Sequence, residues 1–464
     1  MCYNNAMTRT FKTVDYEATL DSTVRLRDCL PETHLARFVA DLVAQLDLSA
    51  FYAHYGTRGG LPYAPEVLLS LLFYGYATGV FSSRKIAAAT YDQVAFRFLA
   101  GQTHPDHDTL AHFRVTFLDR LPDVFMQLLL LAQAAGVLRL GTVHFDGTKL
   151  HADASKSQAV SHKRLLELEE RIRAEVENLL ARAAQADTTP LPDGLVLADE
   201  LADRAARLAR LAQAQAVLEA RAKERDALAH AAYAAKVRER EAKAARSGGK
   251  PRGRAPKPPS STGPQAADQY NFTDPDSRIM KNSTNAGFEQ DYNAQVGVAE
   301  GSLLIVGQSL SNHPTDHGEL LPTADSIPAA LGMPTAGVAD TGFFNEANVA
   351  GLEARGIDPH IATGRTRHGR DWQEYFVPTE PPPLPAGATV REKMAHKLHT
   401  VAGHAIYRRR KCSVEPVIGI IKEVLGFRQF SLRGLAQMRG EWRILCAVHN
   451  LLKLWRATQA AIAG

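Results

Sequence analysis

Three acids stand where they could hold divalent cations. Asp146 closes the run Val143-His-Phe, Asp340 closes Val338-Ala, and Glu415 sits in Ser413-Val-Glu-Pro-Val-Ile-Gly-Ile-Ile-Lys422. Hard ions such as Mg²⁺ take oxygen ligands and keep waters, so one or two carboxylates per ion, completed by substrate phosphates, is a usual arrangement. A lone aspartate at a strand end is more often a cap or turn residue; a third acid shifts that balance. Three carboxylates could clamp two ions, about 3.5–4 Å apart, on one phosphate, one ion activating water or a sugar hydroxyl and the other steadying the leaving oxygen. Proline is tolerated in a helix's first turn, which places Glu415 at a helix start, with Lys422 further along the same face. Other polar residues carry less. Alternation puts His144 on the strand face of Asp146, and His151 and Asp153 lie nearby, but an oxygen-ligand site needs neither histidine. Glu289 and Asp291 flank a strand and read as surface hairpin acids, the alternative being a pair that supports the metal ligands.

The elements that must position these acids can be read from periodicity. From His34 to Gly136 apolar residues recur at helical spacing, as in Leu35, Phe38, Val39, Leu42 and Leu46. Ser82-Ser83 is placed to cap a helix from Arg84, and Asp106-His-Asp-Thr109 the helix that carries Leu110, Phe113 and Phe117. Around Gly101-Gln-Thr-His-Pro105 these helices read either as a helix-turn-helix-like reader of DNA or as a plain bundle. Near Gly141 the pattern turns to strand, through Asp146 to Ala152. Two apolar stripes follow, Leu165 to Leu179 and Leu201 to Ala222, separated by Pro190-Leu-Pro-Asp-Gly194; they predict an antiparallel helical hairpin. A Gly, Pro, Lys and Arg-rich stretch from Ser247 to Ala267 reads as a flexible basic linker. Strands are expected again at Tyr292–Val298, Leu303–Val306, Thr335–Asp340 and Pro359–Ala362, with a helix from about Asn345 to Ala354. Trp442 and Trp455 share an apolar helical stripe with Leu445, Val448 and Leu452, and read as core rather than as base-stacking platforms.

Composition sets the bounds. A chain of 464 residues suggests two or three domains. Cys2, Cys29, Cys412 and Cys446 are too scattered for a disulfide framework, so free thiols and a cytoplasmic setting are expected. The N-terminus lacks a signal-peptide core, Met7 is a second candidate initiator, and the apolar runs are short for a bilayer, so no membrane partner is expected. The net charge of +4 is modest, yet eleven Lys/Arg stand against three Glu from His404 to Gly464. Clustered cations near a candidate active site suit a polyanion, although solvated helix faces give similar runs.

Several motifs resemble one family. Asp146-Gly-Thr-Lys, Val338-Ala-Asp340-Thr-Gly, Tyr407-Arg-Arg-Arg-Lys-Cys-Ser-Val-Glu415-Pro-Val, Leu425-Gly-Phe-Arg-Gln-Phe and Arg439-Gly-Glu-Trp look like bacterial insertion-sequence DDE transposases. Pro62-Tyr-Ala-Pro, Tyr74-Gly-Tyr-Ala-Thr-Gly and Ser82-Ser-Arg-Lys-Ile resemble the InsH-type N-terminal domain of such enzymes. The resemblance spans roughly residues 25 to 455 and implies an α/β fold. Its parts would be a ribonuclease-H-like mixed-sheet catalytic core (139–158 and 268–457), a helical DNA-binding domain (25–138), an inserted helical hairpin (159–246) and the linker (247–267). It further implies Asp146, Asp340 and Glu415 as catalytic metal ligands for two Mg²⁺ or Mn²⁺ ions. The substrates would be double-stranded DNA, at terminal inverted repeats and at the target, handled by a homodimer or larger synaptic assembly. Lys422, Arg410, Lys411, Arg409, Arg408 and Tyr407 are the candidate DNA contacts. The family spacing of Tyr, Arg, Glu and Lys is met by Tyr407, Arg410 and Lys422, but four residues rather than three separate Arg410 from Glu415, which leaves the cationic role open between Arg410 and Lys411. Two alternatives stand beside this reading: a repeat-binding relic without catalysis, and a metal-dependent DNA nuclease that never transfers strands.

Overall fold

Strand β1 (Thr142–His151) is the axis around which the chain is organised. The structure is a computed structural model that describes residues 25–55, 62–185, 197–247, 254–259, 262–281, 287–364 and 380–463. The candidate initiators, the Pro190–Gly194 turn and residues 248–253 and 260–261 of the basic linker lie outside the described residues. Among the described residues the short strands β2 (Ala159–Ser161) and β3 (Gln269–Asn271) pair only with each other. In the main sheet, β4 (Arg278–Lys281) and β6 (Ile305–Ser311) both pair with one edge of β5 (Phe288–Ala299). The other edge of β5 runs antiparallel to β1 from Ala299 down to Asp291. On its far side β1 pairs in parallel with β7 (Ala336–Ala339), and β7 in turn with β8 (Asp358–Ile361). The sheet is thus six-stranded and mixed. β7 is buried along its whole length, as a short parallel strand covered on both faces should be.

Among the described residues seven α-helices precede the sheet: α1 (Leu35–Val43), α2 (Ser49–Tyr52), α3 (Pro65–Ala77), α4 (Ser83–Asp92), α5 (Val94–Leu99), α6 (His107–Thr116) and α7 (Leu121–Ala134). Pro65 opens α3, where its missing N–H costs nothing, and Leu68 through Tyr76 are all buried, so α3 is the centre of this bundle rather than a surface helix. Asp106 caps α6, accepting from the Thr109 N–H at 2.6 Å. Ser82 stands at the cap of α4, which begins at Ser83 rather than Arg84, but its hydroxyl makes no capping bond.

Within the insertion, α8 (His162–Gln185) and α9 (Leu197–Ser247) have a small core of their own, built from Leu165, Leu211, Ala214 and Leu218 with Val160 and Tyr270. The pair is unequal. Arg225 of α9 meets Asp268 at the base of the arm at 2.9 Å, and the helix then continues to Ser247. At 51 residues α9 is about 77 Å long at 1.5 Å per residue.

The chain closes through α10 (Leu320–Asp325), α11 (Glu346–Ala354), α12 (Val390–His399), α13 (Val401–Tyr407), α14 (Arg410–Gly419), a π-helical turn (Ile420–Val424) and α15 (Leu435–Ala463). α15 packs against α3, α7 and β6, so the leading helices and the sheet share one hydrophobic core. Trp442 is fully buried there and donates to the Gln295 carbonyl, whereas Trp455 is partly buried and donates to that of Thr33. A polar junction sits inside that core. Tyr76 donates to Glu441 Oε1 at 2.8 Å, Arg114 donates to the Tyr76 hydroxyl at 3.0 Å, and Glu441 Oε2 accepts the Ser431 N–H at 2.9 Å and the Leu432 N–H at 3.2 Å. Cys29, Cys412 and Cys446 are free thiols. Among the described residues no helix is long and apolar enough to cross a membrane.

Candidate active site

Phe145 fixes the direction in which Asp146 points. Its register partner Gly297 leaves room for the ring, since a Cβ there would fall 2.9 Å from it. With Phe145 committed to one face, alternation turns His144 and Asp146 to the other. The last β1–β7 partners are His144 and Val338; carrying this parallel register two residues on brings Asp340 level with Asp146. Asp146 therefore lies in the middle of a ten-residue strand, not at a strand end as expected. The strand that ends is β7, while β5 supports β1 as far as His151.

The two aspartates are held differently. Asp340 opens a short 3₁₀ turn and accepts the Gly342 N–H at 2.8 Å. Asp146 accepts its neighbour Gly147 N–H at 2.9 Å on Oδ1 and the Arg410 guanidinium at 2.7 Å on Oδ2, and the two side chains are only 19% and 12% exposed. Burial pushes the Asp146 carboxyl up to about 6 against the opposing charge of Arg410, and the charge of Asp340 adds to the rise. Tyr407 completes the group: burial raises its hydroxyl above the usual phenol value, and Arg410, Asp340 and Asp146 all act on it. Tyr407 and Arg410 are three residues apart, across the short break between α13 and α14.

The remaining sequence candidates sort by contact. Arg410 rather than Lys411 meets the acids; Lys411 and Arg408 are exposed. Arg409 pairs with Glu300, whose second oxygen lies 3.5 Å from Nε2 of the fully buried His144. Lys422 lies farther along β1, donating to the Lys149 carbonyl at 3.0 Å. Much of the C-terminal cation cluster is engaged internally: Arg428 with Glu423, Arg433 with Asp153, and Arg439 with the Leu310 carbonyl.

Glu415 departs from expectation. α14 begins at Arg410, so Glu415 lies in mid-helix and Pro416 is inside it. Pro416 and Cys412, the residue whose carbonyl loses its usual donor to the proline, are both exposed. Glu415 is likewise exposed, and among the described residues no three His, Cys, Asp or Glu side chains gather as a metal-holding group. The structure brings Asp146 and Asp340 together and leaves Glu415 apart from them.

One acid escaped the sequence reading. Asp316, in the loop after β6, takes three donors on Oδ1: Lys149 at 3.3 Å, Asn293 at 2.8 Å and Gln295 at 2.8 Å. Its Oδ2 lies 3.7 Å from where a Cβ on Gly342 would stand, beside the turn that holds Asp340. Gly147 is what admits Gln295, because a Cβ there would fall 2.3 Å from the Gln295 amide nitrogen. The sequence trace of Asp316 is the polar run Asn312-His-Pro-Thr-Asp-His317 directly after a buried strand. Glu289 pairs with Lys156, and Asp291 is fully buried against His151 rather than being a surface acid.

Two family models match the chain. Residues 24–116, which take in α1 through α6, match the Transposase domain (DUF772), and residues 385–455 match the Transposase DDE domain. The second stretch contains Tyr407, Arg410, Glu415 and Lys422; Asp146 and Asp340 lie outside both. No curated protein and no solved structure matches the chain. With a transposase domain near one end and a DDE transposase domain near the other, the two matches support an insertion-sequence DDE transposase.

Proposed function

We propose that this transposase cuts and rejoins DNA at the terminal inverted repeats of its element by metal-dependent phosphoryl transfer centred on Asp146 and Asp340. The observation that carries the reading is the meeting of these acids on neighbouring strands, with Arg410 and Tyr407 against them. Two carboxylates suit a hard divalent cation, which needs few protein ligands when water and phosphate complete its shell. They fit one ion as they stand; a second ion requires Glu415, exposed on α14, to turn toward the pair. When bound, such ions activate a water or sugar hydroxyl and steady the leaving oxygen.

The chain's own residues supply position and charge. Arg410 offsets the buried Asp146 charge and can offer a phosphate two parallel donors. Lys422, Arg408, Arg409 and Lys411 are proposed backbone contacts, which set register without reading bases. The strand order β6-β5-β1-β7-β8, three antiparallel strands followed by two parallel additions, supports a ribonuclease-H-like core. We take residues 25–138 as the DNA-binding domain and 159–246 as the inserted arm. Two element ends must be processed together, so the working form is a dimer or larger assembly.

The test is Mg²⁺- or Mn²⁺-dependent cleavage and joining of DNA carrying the flanking repeats, by the intact chain and by Asp146→Ala, Asp340→Ala and Glu415→Ala. Variants that bind but neither cut nor join fit the proposal. Cutting that survives either aspartate substitution contradicts it, and joining that never occurs with the intact chain favours a nuclease.

A further inference from the structure

We propose that His151 and Lys422 together seat a phosphate of the bound DNA, away from the acid pair, with Asp291 as the residue that fixes the imidazole. The inference rests on the reading above and adds a contact at the other end of β1. His151 and Asp291 are direct partners across β1 and β5, and His151 Nδ1 lies 2.7 Å from Asp291 Oδ1. Asp291 is fully buried, and its Oδ2 has no partner among the described residues. A carboxylate taken this far from water needs a compensating cation.

Two cations answer it. The imidazole is one, raised above its ordinary value chiefly by the Asp291 hydrogen bond and so carrying more positive charge at neutral pH. The Lys422 ammonium is the other, anchored on the Lys149 carbonyl and acting on both Asp291 and His151. The nearby acids Glu289 and Glu423 already have their own cations, Lys156 and Arg428. One buried negative charge thus faces two cations, which leaves an excess of positive charge at the surface. With Nδ1 engaged, the ring keeps Nε2 for an outside acceptor, and its side chain is 36% exposed.

The mount is rigid. The His151 N–H donates to the Arg428 carbonyl at 3.0 Å and the His151 carbonyl accepts the Phe430 N–H at 2.9 Å, so the 428–430 segment holds one edge of the strand end while β5 holds the other. A fixed imidazole N–H beside an ammonium matches phosphodiester oxygens and contains nothing that reads a base. Five residues of strand separate it from Asp146, about 17 Å at 3.4 Å per residue.

The test is the salt dependence of binding by the full chain to a duplex carrying the flanking repeat, for the parent, His151→Gln and His151→Lys. One lost phosphate contact lowers the slope of log affinity against log salt by about 0.9. His151→Gln is expected to show that loss with several-fold weaker binding at low salt, and His151→Lys to restore the slope. Asp291→Asn should fall with His151→Gln; if it does not fold, the two His151 variants still decide. A parental slope in His151→Gln overturns the proposal, as does an equal loss in His151→Lys, which marks a packing role. A parent that neither binds nor cuts the duplex instead overturns the transposase mechanism on which the proposal rests.

Discussion

The polar junction around Glu441 and the acid pair at Asp146 both bury a carboxylate near an arginine, and they differ in what is left over. Glu441 is 1% exposed, and both its oxygens are occupied by the Tyr76 hydroxyl and by Ser431 and Leu432 donors. Arg114, 6% exposed, reaches it through Tyr76 and Ser431. At Asp146 a second acid, Asp340, is placed close enough to raise the first one's proton affinity, and the single arginine must serve both. In the first, both carboxylate oxygens are occupied and the junction ties the leading helices to the sheet. The second has unspent negative charge at a partly open surface, where a bound cation gains most.

Removing Glu441 should break the comparison on the stability side. Glu441→Ala strands Arg114 and the Tyr76 hydroxyl in the core, and a loss of about 3–5 kcal/mol is expected from denaturant midpoints at constant slope. Asp146→Asn should do the reverse: relief of repulsion leaves the midpoint unchanged or raised, while DNA cleavage falls on the order of 10²-fold or more, the scale of one preorganised charge. A destabilised Asp146→Asn would make the acid pair a structural feature like the junction.

His449, on the same helix as Glu441, sharpens the contrast through pH. Burial holds its imidazole down to about 4, and its Nε2 lies 3.0 Å from the Leu303 carbonyl, to which the neutral ring donates. The folded value is depressed, so its contribution is complete above the unfolded value near 6.5 and is lost as pH falls toward the folded one. Between pH 7 and pH 4 this should remove on the order of 3 kcal/mol, and His449→Gln should flatten that part of the profile. The smallest pair concerns helix caps. Asp106→Ala should cost about 1 kcal/mol, whereas Ser82→Ala, which removes no capping bond, should leave the melting temperature nearly unchanged.

How much of this was legible in the sequence depended on whether the cause was local. The α6 cap at Asp106, the β5–β6 hairpin around Glu300-Gly301 and the stripes of α8 and α9 are set by neighbours in sequence, and each appears where periodicity places it. The meeting of Asp146 with Asp340 follows from strand pairing, which alternation suggests but cannot fix. Proline's preference for a first turn points to a helix start at Glu415, whereas Pro416 lies inside α14 on its exposed side. The C-terminal cations looked like a DNA surface in the sequence; Arg409 and Arg433 find acids more than 100 residues away, a pairing no local pattern reveals. Asp316 and the His151–Asp291 pair were hidden for the same reason.

The central claim, that Asp146 and Asp340 form the metal-holding centre, is tested most directly by calorimetric titration of Mn²⁺ into the full chain, without DNA, for the parent, Asp146→Asn, Asp340→Asn and Glu415→Gln. The account predicts binding by the parent that either aspartate substitution abolishes and that Glu415→Gln leaves largely intact. Equal binding by the parent and both aspartate variants would contradict it.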